Sequence, residues 1–253
     1  MILNDSLLNT FNLSRNSLTG RIPTEFGHLK SLRALDLSEH AMNDSIPAEL
    51  GRLQKVRSLD IFGNLLTGRI PREFGQLKAL RKLDLIFNVL EGSIPVELGS
   101  LHQLEYLFLE YNHFLGKIPS SLGNMTHLTS LSIHSFNISG CIPLEIFRLP
   151  LSSLYLGFNL TGNIPTTITN FTMLIELSLF GIRITNIPQG ISSLTKLTYL
   201  DLSYNMLSDN IPLTLQNLNQ LNLLNLQDNK LTGQISEAIT NLRKIEMLFL
   251  TIV

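Results

Sequence analysis

An LxxLxL segment returns down the whole chain at a nearly fixed interval, and this constrains the fold more than any other feature of the sequence. Its first position is held by Leu8, Leu32, Val56, Leu80, Leu104, Leu128, Leu151, Leu174, Leu197, Leu221 and Ile245. The interval is 24 residues except for three of 23, which begin at Leu128, Leu151 and Leu174. A repeat of about 20–30 residues marks a solenoid, in which each copy is one supersecondary unit stacked on its neighbours. Within a copy, Leu alternates with polar residues, the period-2 signature of a strand with one buried face. Successive strands stack about 4.8 Å apart into one parallel sheet. The IPxxLGxL half of each copy forms the wider side as short turns or 3₁₀ helix. The unequal widths curve the stack, with the sheet on the concave face.

The copy from Leu80 to Gln103 shows the full pattern at Leu80, Leu83, Leu85, Asn88, Leu90, Gly92, Ile94, Pro95, Leu98, Gly99 and Leu101. It resembles the plant extracellular leucine-rich repeat family, LxxLxLxxNxLxGxIPxxLGxL. About ten copies and the start of another cover residues 1–253 as one repeat domain. The resemblance implies an α/β fold, a curved right-handed leucine-rich repeat solenoid. It also implies that Asn16, Asn64, Asn88, Asn112, Asn159, Asn205 and Asn229 form an inward ladder bonded to backbone groups. On this reading Asn159 is inaccessible. His40, Phe136 and Ile182 interrupt the ladder; only His40 keeps a polar side chain there. The short periods and these interruptions make 128–196 the most irregular stretch.

Two further columns belong to the scaffold. Gly20, Gly68, Gly92, Gly116, Gly140, Gly162 and Gly233 suit a turn that requires φ > 0, with Asp44, Asn186 and Asp209 as the next-best residues for that region. Nine prolines, Pro23 through Pro212, recur where φ is fixed and no backbone donor is needed.

The formal net charge of -1 gives no reason to expect nucleic acid or an anionic membrane as partner. No apolar run is long enough for a transmembrane helix, and the opening MILNDSLLNT does not have the layout of a signal peptide. Cys141 is the single cysteine, so no internal disulfide forms. The family's members usually carry Cys-rich caps at both ends. Their absence suggests a fragment or truncated product of a longer chain. Sequons begin at Asn4, Asn12, Asn43, Asn124, Asn137, Asn159 and Asn170, which weakly favours an extracellular, glycosylated surface.

Binding residues must lie at the outward strand positions, because the inward ones are core. Phe62, Ile86, Tyr106, Phe108, Glu110, His134, Tyr155 and Phe180 form the candidate ligand surface. Exposed aromatic rows flanked by charge suit a protein or peptide. Phe87, Tyr111, Phe158 and Tyr204 precede the Asn column and are expected to pack on neighbouring repeats. Asp36, Asp60 and Asp84 form a carboxylate ladder, expected to be structural and balanced by Arg33, Arg57 and Arg81. No metal-ligand spacing, phosphate loop or nucleophile motif appears, so neither cofactor nor enzyme activity is expected.

The resemblance implies ligand recognition by a portion of a receptor-like kinase or receptor-like protein ectodomain. It would bind a peptide or co-receptor on the extracellular side of the plasma membrane. The alternatives are a secreted inhibitor of cell-wall-degrading enzymes, disfavoured by the acidic ladder, and a non-functional truncated product. A flat ice- or polysaccharide-binding face requires a more regular Thr or Asn array than the outward columns offer.

Overall fold

The structure, a computed structural model, describes residues 7–208, 210–233 and 237–251. Among them, eleven strands form one parallel sheet in strict chain order, from Thr10–Asn12 to Met247–Leu250. Each strand pairs one full repeat onward: Leu35 faces Leu59, Leu83 faces Leu107, and Leu154 faces Leu177. The inward Leu at these positions are fully buried. With the inward residues of the opposite side they make one continuous apolar core running the length of the stack.

Opposite the sheet, nine five-residue 3₁₀ segments among the described residues run from Thr24–His28 to Leu213–Asn217. Each begins after a proline of the third column, whose φ lies between -60 and -73. The proline carbonyl accepts the first N–H of the turn, as Pro71 does from Phe74 at 3.0 Å. Glycine within these turns allows close stacking: a Cβ on Gly99 would collide with the Ser121 carbonyl of the next repeat.

The expected Gly column is left-handed throughout, and Asp44 joins it at φ 69. Asn186 does not; there Asn163 Oδ1 accepts the Thr185 N–H at 3.1 Å and its hydroxyl at 3.0 Å, and the turn closes another way. Asp209 lies outside the described residues.

The Asn ladder explains how neighbouring loops are joined. Asn88 Nδ2 donates to the carbonyls of Ile61, Leu85 and Ile86, and its Oδ1 accepts the Leu66 N–H. Asn64, Asn112 and Asn229 make the same set, and Asn205 joins the loop at Ile182 and Ile184. A buried donor or acceptor without a partner costs about 1–3 kcal/mol, so each side chain removes several such penalties. His40 keeps a hydrogen bond to the Asn16 carbonyl at 2.7 Å. Asn16 bonds Leu13 and Ser14 but remains exposed.

Asn159 departs from expectation. It is exposed, stands at φ 50 beside Phe158 at φ 58, and donates to the Phe136 carbonyl. The next ladder position is the buried Ile182, which offers no acceptor, and the Leu160 N–H bonds the Phe158 carbonyl at 2.6 Å instead. With one residue fewer between Asn159 and Gly162 than between Asn88 and Gly92, the loop closes on itself in a three-residue turn and Asn159 faces outward. One repeat earlier, Phe136 is 65% exposed while buried Ser135 donates to the Phe114 carbonyl at 2.7 Å. There the inward polar place is taken by the residue before the ladder position.

Candidate binding groove on the concave face

Seven of the eight expected contact residues come together. Phe62, Ile86, Phe108, Glu110, His134, Tyr155 and Phe180 line one groove of about 770 Å³ on the inner face of the sheet. It runs from Ser38 to Asp201. Tyr106 stays outside it, 41% exposed in the neighbouring outward column, with its ring 6.2 Å from that of Phe108. The groove also takes in Tyr111, Phe158, Ser132, Ser178, Tyr199 and Asp201, which were not among the candidates. Ser132, Ser178 and Asp201 share the register column of Asp84 and Phe108, so the repeat period alone would have found them.

The aromatic residues before the Asn column do pack on neighbouring repeats. Phe87 and Tyr111 stack at 4.3 Å, and Phe136 and Phe158 at 4.0 Å. Phe87, Tyr111, Phe158 and Tyr204 all stand at positive φ, between 52 and 58. The backbone reversal turns each ring beside the sheet. Tyr111 and Phe158 are therefore both packing residues and groove walls. Phe158 meets Phe180 edge-on at 4.9 Å and His134 at 6.1 Å.

The carboxylate ladder has a structural task. The Oδ1 of Asp36, Asp60, Asp84 and Asp201 accepts the N–H two residues on, at 3.1, 3.2, 3.2 and 2.9 Å. Each thereby ties the chain as it leaves the strand. The cation that balances the ladder is Lys82, not the arginine column. Lys82 Nζ lies 2.7 Å from Asp60 and 3.2 Å from Asp84, while Arg81 turns to Glu105 at 2.7 Å. Lys82 shares the pleat parity of Asp84 and Arg81 does not, and parity decides which side chains meet. Arg33 and Arg57 form no ion pair among the described residues. Burial and the charge of Asp60 push the Asp84 carboxyl above its ordinary pKa. Burial opposes the charge on Lys82, yet the bonds and charges of Asp60 and Asp84 outweigh it and raise its pKa.

At the middle of the groove, Glu110 meets His134 Nδ1 at 3.1 Å across adjacent strands. Burial alone would raise the Glu110 pKa, but hydrogen bonding and the charge of His134 bring it below the usual carboxylate range. The His134 ring lies against Gly157, where a Cβ would overlap its Cδ2. Gly157 is the concave position that makes room for the imidazole.

Toward the C-terminal end, Tyr155 donates to Glu176 at 2.5 Å and Ser153 donates to the same oxygen at 2.9 Å. Tyr199 donates to Asp201 at 3.4 Å. Burial, then Glu176, pushes the Tyr155 pKa far up; burial, then Asp201, pushes that of Tyr199 up to about 12. Both phenols stay protonated with their hydrogens committed to carboxylates.

Among the described residues, no three metal-capable side chains form a cluster and no helix is long and apolar enough to cross a membrane. Six of the sequon asparagines are exposed, and Asn4 lies outside the described residues. None of the six lines the groove.

Leucine-rich repeat models match the chain over 7–133 as a leucine-rich repeat region, and over 196–218 and 220–242 as single repeats. No curated protein matches by sequence. The chain is similar to the ectodomain of the Arabidopsis receptor kinase HAESA, solved with an N-terminally extended IDA peptide hormone: 37% identity, TM-score 0.91, covering 96% of this chain and 42% of that one. The same receptor with IDA and the co-receptor SERK1 gives 36% identity and a TM-score of 0.86, covering 96% and 42%. The PEPR1–AtPEP1 structure gives 33% identity and a TM-score of 0.88, over 97% of this chain and 35% of that one. A plant ice-binding protein gives 29% identity and a TM-score of 0.76, over 94% and 80%. The chain thus spans less than half of the receptor chains it matches. With repeat models matching half its length and these relatives along nearly all of it, the chain belongs to the plant-type leucine-rich repeat family.

Proposed function

We propose that the chain is the ligand-recognition region of a plant receptor-like ectodomain, and that its concave groove holds an extended peptide. The observation that carries this reading is the convergence of Phe62, Phe108, Tyr155, Phe158 and Phe180 with fixed polar groups in one open groove. These rings are only half-buried within the chain, and aromatic residues are the ones that anchor interfaces. The similar receptor structures hold peptide hormones, which supports a peptide as ligand, and the HAESA complex supports a co-receptor ectodomain as second partner. Binding rather than catalysis is the role, and the extracellular side of the membrane is its place. The exposed sequons lie outside the groove, so glycans on them would leave it open.

The ice-binding neighbour supports a second reading less well. Ice recognition needs a flat face with one residue type repeated, whereas the column through Asp84 reads Phe108, Ser132, Tyr155, Ser178, Asp201. The groove is neither flat nor uniform. The acidic ladder likewise disfavours inhibition of pectin-binding enzymes.

A random peptide library displayed on phage and panned on the immobilised chain tests the proposal. Enrichment of peptides whose binding drops at least tenfold on the double substitution Phe108→Ala, Phe180→Ala is expected. The exposed convex substitution Leu144→Ala should leave binding unchanged. Peptides that bind all three forms equally would overturn the groove as the site.

A further inference from the structure

The groove is one-sided in charge and in hydrogen-bonding sense. Glu39, Asp60, Asp84, Glu110 and Asp201 line it, and among the described residues no Lys or Arg does. The whole chain carries only -1, so the excess is local. At the N-terminal end Arg15 pairs with Glu39 at 3.1 Å, His134 meets Glu110 at 3.1 Å, and Lys82, from the column beside the groove, offsets one charge of the Asp60–Asp84 pair and leaves the other. Farther along, Tyr155 and Tyr199 have given their hydrogens to Glu176 and Asp201, so toward the groove they present oxygen lone pairs. A ligand therefore meets acceptors almost everywhere and needs donors of its own. Carboxylate, phosphate or sulfate groups would find like charge and, among the lining residues, no guanidinium or ammonium to hold them.

Resting on the peptide reading above, we infer that the occupant is a cationic extended peptide, one of whose Lys or Arg side chains sits on Glu110. Glu110 occupies the middle of the groove, with one carboxylate oxygen on His134. Phe108 and Tyr111 lie on its own strand and the following turn, and Phe158 borders His134. A cation in contact with a ring face gains about 0.5–2 kcal/mol beyond the ion pair, and more as water is excluded. The carboxylate is already held ionised, so it meets an incoming cation without a change of protonation. Toward the N-terminal end, Asp84 is disfavoured as an anion by burial and by Asp60, and a second ligand cation there would relieve that repulsion. The groove crosses eight strands, from Ala34–Asp36 to Tyr199–Asp201. At about 4.8 Å per strand this is roughly 34 Å, the length of about ten extended residues. Two basic residues of such a peptide can then meet Glu110 and the Asp60–Asp84 pair together.

The test is the residue content of peptides enriched from a random phage-displayed library on the full chain at about 0.15 M salt. The inference expects Lys and Arg well above their library frequency. It also expects affinity for a synthetic copy to fall at least tenfold on Glu110→Gln, and to weaken with added salt. Thermal unfolding of the Glu110→Gln chain establishes that it is folded; should it not be, Asp60→Asn, at the second cation position, replaces it with the same expectation of weakened, less salt-sensitive binding. Enriched peptides that are neutral or acidic, yet lose binding on Phe108→Ala, Phe180→Ala, overturn the cationic inference and leave the peptide groove standing. Peptides indifferent to that double substitution, or no enrichment at all, overturn both.

Discussion

At the scale of single residues, the concave carboxylates divide into two kinds, and pH separates them. Folding lowers the Glu110 pKa, so its contribution to stability is present above the unfolded carboxylate value of about 4.3 and is lost as pH falls through the lower folded value. Folding raises the Asp84 pKa, so its ionised form opposes folding at neutral pH, and the penalty disappears below the unfolded value. Asp84→Asn, which keeps an oxygen for the Ile86 N–H, should leave stability at pH 7 unchanged or raised by up to about 1 kcal/mol, with no gain near pH 3.5. Glu110→Gln should lower it at pH 7 by about 1 kcal/mol and have little effect in acid. Urea unfolding at the two pH values measures both; the same sign for the two substitutions at pH 7 would show that the assignments are wrong. The outward positions of Phe62, Glu110 and Phe180 were legible from strand parity alone. The Glu110–His134 pair was not singled out, although the residues stand one repeat apart and period plus parity place them side by side. Arg81 is near Asp84 in sequence but on the other pleat parity, so it pairs with Glu105 and not with the ladder.

At the scale of the element, glycine serves the repeat in two physically different ways. Gly116 is left-handed at φ 87, and a Cβ there would have Ser93 Cβ at 3.9 Å as its nearest neighbour. Gly99 has no such backbone requirement, but its Cβ would strike the Ser121 backbone. Gly116→Ala should cost about 1 kcal/mol in backbone strain. Gly99→Ala must push a pair of stacked 3₁₀ turns apart and should cost about 3 kcal/mol. Chemical denaturation ranks them, and an equal or reversed order would refute the close-stacking account. The strand, proline and left-handed glycine columns could all be read from the sequence, since each answers to a local rule. The turn at Phe158–Leu160 has a local mark and a distant one. Asn159 and Gly162 stand three residues apart where Asn88 and Gly92 stand four apart, and Ile182, one repeat away, supplies no acceptor for the Leu160 N–H. The left-handed aromatics answer to position rather than residue type. Phe87 and Tyr111 are poor residues for positive φ, yet Arg15, Glu39, Gly63 and Asp228 stand at positive φ at the same place in their repeats, so the loop imposes it whatever the side chain.

At the scale of the whole molecule, stacking nearly identical units turns single outward positions into columns, and the groove is what several dissimilar columns make together. Its architecture was legible because ten or so repeats report the same period. Its chemistry was only partly legible, because which columns border one cavity depends on side-chain packing across strands. The central claim is that a peptide lies along this face and no other. Amide hydrogen exchange of the full chain, with and without a phage-selected peptide that binds it, tests that claim most directly. The account predicts added protection in the sheet strands and following turns between Ser58 and Phe180, with the 3₁₀ segments on the opposite side unchanged. Protection confined to those 3₁₀ segments, with the sheet exchanging as before, would contradict it.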